Sequence, residues 1–224
     1  MKKAYFISGI DTDCGKTYIT GLLAYQLKKA GRKVITSKLI QTGCTDISDD
    51  IKEHRRLMEI ELLPEDIAGQ TCPYVFTFPA SPHLAAEIDG KIVEIEKINK
   101  ASNELFNNYD IVLMEGAGGL MVPITTYYLT LDYIKEHMLP LILVSSSQLG
   151  SINHTLMSIE ICKQYGVYLH AVIFNQFPDA NPIIAQNSFN YLQMYLQETL
   201  PEVPLIHSNN LSKDQKICTF VERL

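Results

Sequence analysis

The 224-residue sequence lacks features that would place it in several common classes of protein. It contains no tryptophan, and no segment approaches the roughly 18 consecutive apolar residues that a membrane-spanning helix needs. The formal net charge is −6 and the basic residues are scattered. Because binding to a phosphate backbone needs clustered lysine and arginine, nucleic acid is not expected as a partner. The composition favours a globular protein that acts away from membranes and nucleic acids.

The cysteines also follow no familiar pattern. The five residues are odd in number and show no Cys-x-x-Cys spacing. Such usage is typical of reduced thiols, so we expect a cytoplasmic protein. The apolar stretch near the amino terminus ends at Ile7 and runs directly into a glycine-bounded loop. It therefore predicts a strand and not a signal peptide.

That glycine-bounded loop is the most informative segment of the chain. It reads Gly9-Ile10-Asp11-Thr12-Asp13-Cys14-Gly15-Lys16-Thr17, with five residues between the glycines where the usual pattern has four. Glycines let backbone N–H groups point at phosphate oxygens, and a helix that begins at Lys16 aims its positive end at the same anion. The Lys16 ammonium adds charge, and the Thr17 hydroxyl is a magnesium ligand. The segment predicts a nucleotide-binding phosphate loop.

Apolar runs that predict strands alternate with segments that predict helices. The strands are predicted at 4–7, 34–40, 111–114, 141–144 and 170–174, and the helices from 16 to a stop at Gly31 and at 82–87, 152–165 and 182–197. Residues 45–70 are predicted to be a loop that leads into a helix. No linker or internal repeat divides the chain, so a single domain over residues 1–224 is expected. With the phosphate loop, the alternation predicts an α/β fold of the P-loop NTPase type, a mostly parallel sheet with helices on both faces.

Polar residues follow several predicted strands, at the edge where open α/β sheets bind ligands. Lys38 lies near the end of the second strand, Glu115 ends the strand 111–114, and Asn175 follows the strand 170–174. Glu115 has the position of a metal-directed carboxylate, with a solvent-facing glutamate as the alternative. Lys38 needs an anionic partner, which is either a ligand or a structural carboxylate. Cys14 is either a thiol activated by the helix dipole or a small side chain that the loop tolerates.

The motifs and their order resemble those of the dethiobiotin synthetase family over nearly the whole chain. The matching segments are Gly9-x-Asp11-Thr12-x-x-Gly15-Lys16-Thr17, Lys38-x-x-x-Thr42-Gly43, Ser81-Pro82-His83-Leu84-Ala85-Ala86, Glu115-Gly116-Ala117-Gly118-Gly119 with Pro123, and Leu149-Gly150-Ser151-Ile152-Asn153-His154. The chain departs from the family at Gln176-Phe177-Pro178 and at Leu39, where proline is commoner.

The resemblance implies an ATP-dependent ligase of biotin biosynthesis. Family members join 7,8-diaminononanoate and carbon dioxide into the cyclic urea of dethiobiotin, by way of a carbamate and a carbamic-phosphoric mixed anhydride. The resemblance also implies Mg²⁺, ATP as co-substrate, and a homodimer in which a helix amino terminus of one subunit meets the substrate carboxylate bound to the other. Adenine preference, the carboxylated amine and the choice between Asp49 and Asp50 as the metal-directed carboxylate are left open.

The resemblance assigns roles to particular residues. The catalytic residues are Lys16 and Lys38. The nucleotide-binding residues are Asp13, Cys14, Gly15, Lys16, Thr17, Tyr18, Glu115, Gly116, Asn175 and Gln176, with Asn175 at a position that reads the nucleobase. The substrate-binding residues are Thr12, Thr42, Gly118, Gly150, Ser151, Ile152 and Asn153. The metal ligands are Thr17, Asp50 and Glu115.

Three other classes of phosphate-loop protein were weighed against this interpretation. A partitioning ATPase of the deviant-Walker type carries an additional lysine early in the loop, and residues 10–14 contain none. An ATP-dependent amidating relative carries a glutaminase domain, for which the chain is too short. A non-catalytic nucleotide-binding regulator is the remaining alternative. An NAD-binding fold is disfavoured because the loop lacks Gly-x-Gly-x-x-Gly.

Overall fold

The computed structural model describes residues 3–176 and 181–224. The departure from the family at Phe177 and Pro178 therefore lies outside the described residues. In chain order the elements are β1 (Lys3–Gly9), α1 (Lys16–Lys29), β2 (Val34–Lys38), β3 (Gln41–Thr42), α2 (Asp49–Met58), α3 (Pro64–Ile67), β4 (Val75–Phe76), α4 (Pro82–Ile88), α5 (Ile95–Asn108), β5 (Ile111–Gly119), β6 (Pro123–Thr125), β7 (Tyr128–Leu129), α6 (Thr130–Glu136), β8 (Leu141–Ser146), α7 (Ser151–Tyr165), β9 (Leu169–Asn175), α8 (Pro182–Thr199), β10 (Leu205–His207) and α9 (Thr219–Arg223).

Six strands form the central sheet in the order β10-β9-β8-β1-β5-β2. Every neighbouring pair in this sheet is parallel. Two small ribbons lie apart from it, one parallel (β3 with β4) and one antiparallel (β6 with β7). The predicted fold class, a mostly parallel α/β sheet of the P-loop NTPase type, is confirmed.

Helices cover both faces of this sheet, as the unbroken apolar strands predicted. Along β1, Tyr5 and Ile7 join one buried cluster and Phe6 joins the other. The first cluster contains residues of α1, α2 and α9, and the second contains residues of α4 to α8. Successive side chains of a strand point to opposite faces, so a strand between two helical layers must be apolar at every position.

Local differences from the sequence prediction have identifiable causes. The strand predicted at 34–40 ends at Lys38, and Gln41–Thr42 forms a separate short strand with β4. The segment expected to begin as a loop contains α2, where the Ser48 hydroxyl accepts a hydrogen bond from the backbone N–H of Ile51 and caps the helix. Helices α5, α6 and α9 and strand β10 were not predicted. The segments of α6, α9 and β10 are short, whereas α5 has a clear apolar face that includes Ile98 and Leu105 and was missed.

No helix in the described ranges combines the length and apolar character needed to cross a bilayer.

Candidate active site

A cleft of about 530 Å³ opens at the carboxyl ends of β1, β2 and β5. Many of the predicted site residues line it: Thr12, Asp13, Gly15, Lys16, Thr17, Tyr18, Lys38, Thr42, Asp50, Glu115 and Gly118. The cleft lies where the order of strands reverses about β1, which is the usual ligand site of an open parallel sheet. The sheet topology therefore brings together residues that are up to about a hundred positions apart in the chain.

Close contacts hold the shape of the phosphate loop, and they leave no room for a Cβ atom at Gly9 or Gly15. Gly15 has a φ of 94°, and a Cβ atom there would lie 1.9 Å from Nδ2 of Asn175. That Nδ2 donates a hydrogen bond to the Cys14 carbonyl at 3.0 Å. The Cys14 thiol is buried and fills the space beside Gly9, where a Cβ would lie 2.3 Å from Sγ. The structure thus places Cys14 as a packing residue of the loop.

Lys16 begins α1 directly after the loop. Its side chain is buried, and Nζ donates a hydrogen bond to the Asp11 carbonyl at 2.8 Å. The Asp11 carboxylate in turn accepts a hydrogen bond from the backbone N–H of Thr12 at 2.7 Å. The ammonium group is therefore held over the loop, the position from which it would meet a bound phosphate.

Lys38 is the centre of a buried cluster of charges. Its Nζ atom lies 2.9 Å from Oε1 of Glu115 and 2.5 Å from Oδ2 of Asp50, and it donates a third hydrogen bond to the Gly116 carbonyl at 3.0 Å. Glu115 is fully buried, and Lys38 is 5% exposed. Of the two alternatives for Lys38, the structure shows the carboxylate partner, and because Lys38 also lines the cleft, its contact with a ligand stays a prediction.

Both groups of the Lys38–Glu115 pair are charged. Burial lowers the pKa of Lys38, but the Glu115 and Asp50 carboxylates outweigh that effect and hold it above its ordinary value. Burial raises the pKa of Glu115, and the charge of Lys38 together with the hydrogen bond from His54 outweighs it, so that this pKa lies well below the usual range. Each charge is thus maintained by its neighbour although both side chains are buried.

The structure distinguishes the two adjacent aspartates. Asp50 lines the cleft and pairs with Lys38, whereas Asp49 is 65% exposed and pairs with Lys52 at 3.0 Å. Gln41, which sequence reasoning missed, orients this end of α2: its Oε1 atom accepts hydrogen bonds from Ser48 Oγ at 2.6 Å and from the Asp50 backbone N–H at 3.3 Å. The signal in the sequence that could have identified Gln41 is its position directly before the predicted substrate residue Thr42.

Other lining residues were also missed by the sequence analysis, namely Ile40, Glu53 and Ala117. His54 was missed as well. It lies behind the cleft, where its Nε2 atom is 2.8 Å from Oε2 of Glu115. A histidine four residues after an aspartate on one helix face was the signal that would have found it.

The donor set of the cleft fits a magnesium ion. The Thr17 hydroxyl donates to Oε1 of Glu115 at 2.9 Å, and Asp50 reaches the same Lys38 Nζ as Glu115 does. Within residues 3–176 and 181–224 no group of three or more His, Cys, Asp or Glu side chains is arranged to hold a metal. Mg²⁺ is usually held by one or two carboxylates together with a hydroxyl, water and substrate phosphates, and Thr17, Asp50 and Glu115 are ligands of this kind.

The predicted substrate residues divide between two places. Thr12, Thr42 and Gly118 line the main cleft, and a Cβ atom on Gly118 would lie 3.7 Å from the Thr12 hydroxyl. Gly150 and Ser151 line a hollow of about 90 Å³ between the phosphate loop and the amino terminus of α7, and Thr12 borders both spaces. Ile152 and Asn153 follow in the first turn of α7 and line neither space, and Asn153 is exposed.

Four predicted nucleotide residues lie outside the lining of the cleft, namely Cys14, Gly116, Asn175 and Gln176. Gly116 packs against Phe6, whose ring carbon Cε1 would be 2.9 Å from a Cβ atom at that position. Asn175 is fully buried behind the phosphate loop, and the backbone N–H of Gln176 donates to Ser208 Oγ at 3.2 Å. The side chain of Asn175 therefore supports the loop from behind.

Comparison with known proteins identifies the family of the chain. A family model described as an AAA domain matches residues 3–210. The chain is 51% identical over 206 residues to the ATP-dependent dethiobiotin synthetase BioD 2 of Haemophilus ducreyi, covering 92% of this chain and 98% of that protein. The chain belongs to the dethiobiotin synthetase family. The corresponding protein of Pasteurella multocida is 48% identical, with 90% and 94% of the two chains covered.

Membership of the dethiobiotin synthetase family makes the chain one of a group of ATP-dependent ligases of biotin biosynthesis. Solved structures show the same architecture in other proteins: a ParA family ATPase from Chlorobium tepidum aligns with a TM-score of 0.54, at 13% identity, over 100% of this chain and 98% of that chain. At this identity the likeness concerns the fold alone. The partitioning ATPases therefore share the scaffold, whereas the dethiobiotin synthetases share the sequence.

Proposed function

We propose that this chain joins 7,8-diaminononanoate, carbon dioxide and ATP to give dethiobiotin, ADP and phosphate. The observation that carries the proposal is the 51% identity to a dethiobiotin synthetase over 92% of the chain, together with a cleft that gathers many of the predicted site residues. The reaction needs an anionic carbamate to meet an anionic γ-phosphate. Two buried lysines beside a phosphate loop supply the positive charge for that encounter.

The proposed reaction has three steps. An amine of the substrate attacks carbon dioxide, forming a C–N bond and losing a proton, which yields a carbamate. A carbamate oxygen attacks the γ-phosphorus of ATP, the bond to ADP breaks, and a carbamic-phosphoric anhydride results. The second amine then attacks the carbamoyl carbon, phosphate leaves with the bonding electron pair, and a second proton is lost as the urea ring closes.

We assign roles in these steps to residues of the cleft. Lys16 holds the phosphates and Lys38 neutralises the charge that develops between carbamate and γ-phosphate. Thr12, Thr42 and Gly118 surround the carbamate and the diamine. Thr17, Asp50 and Glu115 would hold Mg²⁺, which supplies charge neutralisation at the phosphate oxygens when it is bound. Of the two aspartates, Asp50 is the proposed ligand because it alone pairs with Lys38.

We further infer a homodimer with an active site shared between subunits. The amino terminus of α7 has Gly150 at the N-cap and no side-chain cap, and its positive dipole end suits the carboxylate of the substrate. The Ser151 hydroxyl there is buried and has no hydrogen-bond partner within the described part of the chain, which supports a ligand role. Asn175 and Gln176 are retained as proposed nucleotide contacts, and a cytoplasmic location as an expectation.

The proposal is tested by an endpoint assay with the purified protein, magnesium ATP, bicarbonate and 7,8-diaminononanoate. ADP and the cyclic urea are quantified by mass spectrometry, and a parallel reaction omits the diamine. We expect both products in equal amounts and only when the diamine is present. ATP hydrolysis at the same rate with and without the diamine would contradict the proposal. It would favour an activity of the kind found in the partitioning ATPases that share this fold.

A further inference from the structure

Glu115 is held from the side that faces away from the cleft. Its two carboxylate oxygens have different partners: Oε1 lies 2.9 Å from both Lys38 Nζ and Thr17 Oγ1, and Oε2 lies 2.8 Å from Nε2 of His54. Glu115 and His54 are both fully buried. The orientation of this carboxylate is therefore fixed by a histidine that does not itself line the cleft.

The hydrogen bond assigns the tautomer of His54. A carboxylate only accepts hydrogen bonds, so Nε2 carries the proton and donates it to Oε2. The other ring nitrogen, Nδ1, is buried and has no hydrogen-bond partner among the residues that the structure describes. Among the described residues, the contact with Glu115 is therefore the one polar contact of the ring. Burial of Nδ1 without a partner has a desolvation cost.

The position of His54 in α2 explains why its ring contacts Glu115. His54 follows Asp50 by one helical turn, so the two side chains extend from the same face of α2. Asp50 reaches Lys38 inside the cleft, while His54 reaches Glu115 on β5. The helix itself is anchored by Arg55, whose guanidinium makes two hydrogen bonds of 2.8 Å to Asp66. One helix therefore sets the positions of both carboxylates.

We propose that His54 is a positioning residue for the metal site: its Nε2–H group holds Oε2 of Glu115, so that Oε1 stays directed at Thr17 and Lys38 and is available to a divalent cation bound with the nucleotide. This inference rests on the metal-binding role that the proposed function gives to Glu115. Without the His54 contact, Oε2 has lost its partner and the carboxylate is held through Oε1 alone, so its orientation toward the metal ligands is less restrained.

A pair of polar substitutions separates positioning from simple core packing. In His54→Gln the terminal amide carries an N–H donor at about the reach of Nε2, whereas in His54→Asn the amide corresponds to Nδ1 and falls short of Glu115. Binding of Mn²⁺, used as a spectroscopic substitute for Mg²⁺, is measured by electron paramagnetic resonance in the presence of a non-hydrolysable ATP analogue. His170→Gln is the matched control, because the His170 ring packs in tilted contact with Tyr5 and Phe220 and His170 does not line the cleft.

We expect His54→Asn to weaken Mn²⁺ binding about tenfold or more, the scale on which partners of metal ligands act. His54→Gln is expected to stay within about threefold of the parent protein by the same reasoning, and His170→Gln to leave Mn²⁺ binding unchanged. Nucleotide affinity in EDTA is expected to be the same in all variants, since the phosphate loop and Lys16 are untouched. Circular dichroism at the assay temperature confirms that each variant is folded.

Two results would overturn the inference in distinguishable ways. Equal Mn²⁺ affinity of the Gln and Asn variants, whether both are normal or both are weakened, would leave His54 without a positioning role. Failure of the parent protein to bind Mn²⁺ with the nucleotide would overturn the metal assignment of Glu115 along with it. If the Asn variant fails to fold, a tenfold loss of Mn²⁺ affinity in the Gln variant would contradict the inference.

Discussion

At the scale of single residues, the two lysines of the cleft differ in what surrounds them. The Lys16 ammonium donates a hydrogen bond to a loop carbonyl, whereas the Lys38 ammonium pairs with two carboxylates. Removal of one partner from a buried ion pair is strongly destabilising because it leaves an uncompensated charge. A loss of activity in a Lys38 variant therefore mixes stability with catalysis, and Lys16 is the better probe of the chemistry.

The Lys16→Ala substitution is expected to abolish turnover while the fold remains intact. It removes the charge directed at the phosphates, and loss of one preorganised electrostatic contact typically lowers kcat by about 10²-fold or more. The measurement is the rate of ring closure at saturating magnesium ATP, with Lys29→Ala near the far end of the same helix as the control. Near-normal ring closure by the Lys16 variant would refute the role assigned to this lysine.

The thiols are expected to differ sharply in reactivity. Burial raises the pKa of Cys72 and of Cys162 to about 12, so both remain protonated at pH 8. Cys14 and Cys44 are also buried, and Cys218 is half-exposed. Titration of the folded protein with a chromogenic disulfide at pH 8 should show one fast thiol, and rapid reaction of four or five would be inconsistent with the structure.

The Cys14 side chain fills the phosphate loop, so its modification should affect the binding of nucleotide. Prolonged alkylation that reaches this thiol is expected to block ATP binding, since Sγ already occupies the space beside Gly9 and the loop has no room for an added group. The affinity for ATP is measured by calorimetry after mass spectrometry has confirmed modification of Cys14. Unchanged affinity would show that the loop accommodates the added bulk.

At the scale of elements, helix α2 organises one wall of the cleft. Ser48 and Gln41 fix its amino terminus, and Arg55 anchors it to Asp66 and to Thr36 of β2. Arg55 is 2% exposed, whereas the next residue, Arg56, is 67% exposed and pairs with Glu53 on the surface. Adjacent arginines thus have opposite environments on the same helix.

The two arginines give a matched test of this anchoring. Arg55→Ala is expected to lower the free energy of unfolding by about 3–5 kcal/mol, because Asp66 would remain buried without its partner. Arg56→Ala is expected to leave stability nearly unchanged, since exposed ion pairs contribute little. Urea unfolding followed by circular dichroism measures both variants. Similar stability losses would mean that α2 is not held by the buried pair.

Helix α7 provides the second prediction at this scale. Asn153 lies in its first turn, so Asn153→Asp places a negative charge where the substrate carboxylate is proposed to bind, without changing the shape of the side chain. Two like charges about 4 Å apart repel by about 1 kcal/mol even in bulk water, so KM for the diamine should rise about fivefold or more. KM for ATP is expected to stay constant, and Asn153→Ser is the neutral control. A parallel rise in both KM values would contradict the assignment.

At the scale of the whole molecule, the strand order places the phosphate loop at the centre of the sheet. Strand β1 lies between β8 and β5, so the loop that follows it is bordered by the ends of both neighbours. The α7 terminus follows β8, whereas the charge cluster joins Lys38 at the end of β2 to Glu115 within β5. The phosphate loop is therefore bordered by the charge cluster on one side and by the α7 terminus on the other.

Mixed dimers test the shared site directly. A heterodimer of one Lys16→Ala subunit and one Asn153→Asp subunit contains one site with both defects and one with neither, if each site takes its phosphate loop and its α7 terminus from different subunits. We therefore expect tagged heterodimers to recover activity up to about half that of the parent at low diamine concentration, where either homodimer is impaired. Absence of recovery would exclude a site shared in this way.

The sequence by itself determined the elements whose signals are local. The phosphate loop, the apolar strands and the helices with glycine or proline boundaries were predicted because backbone geometry and apolar periodicity depend on neighbouring residues. Lys38 and Glu115 were also identified as candidates, since a charge that ends an apolar strand stands out in the pattern. The sequence did not determine which anion pairs with Lys38. A buried lysine needs an anionic partner, and either a bound ligand or a carboxylate of the protein meets that need.

Tertiary structure alone decided how those residues meet. The pairing of Lys38 with Glu115 and with Asp50, and the contact of His54 with Oε2, join segments of the chain that are far apart. Parallel pairing of β2 with β5 places Lys38 opposite Glu115, and the packing of α2 against α1 and β2 brings Asp50 and His54 to them. Such distances follow from strand order and helix packing, which no local pattern encodes.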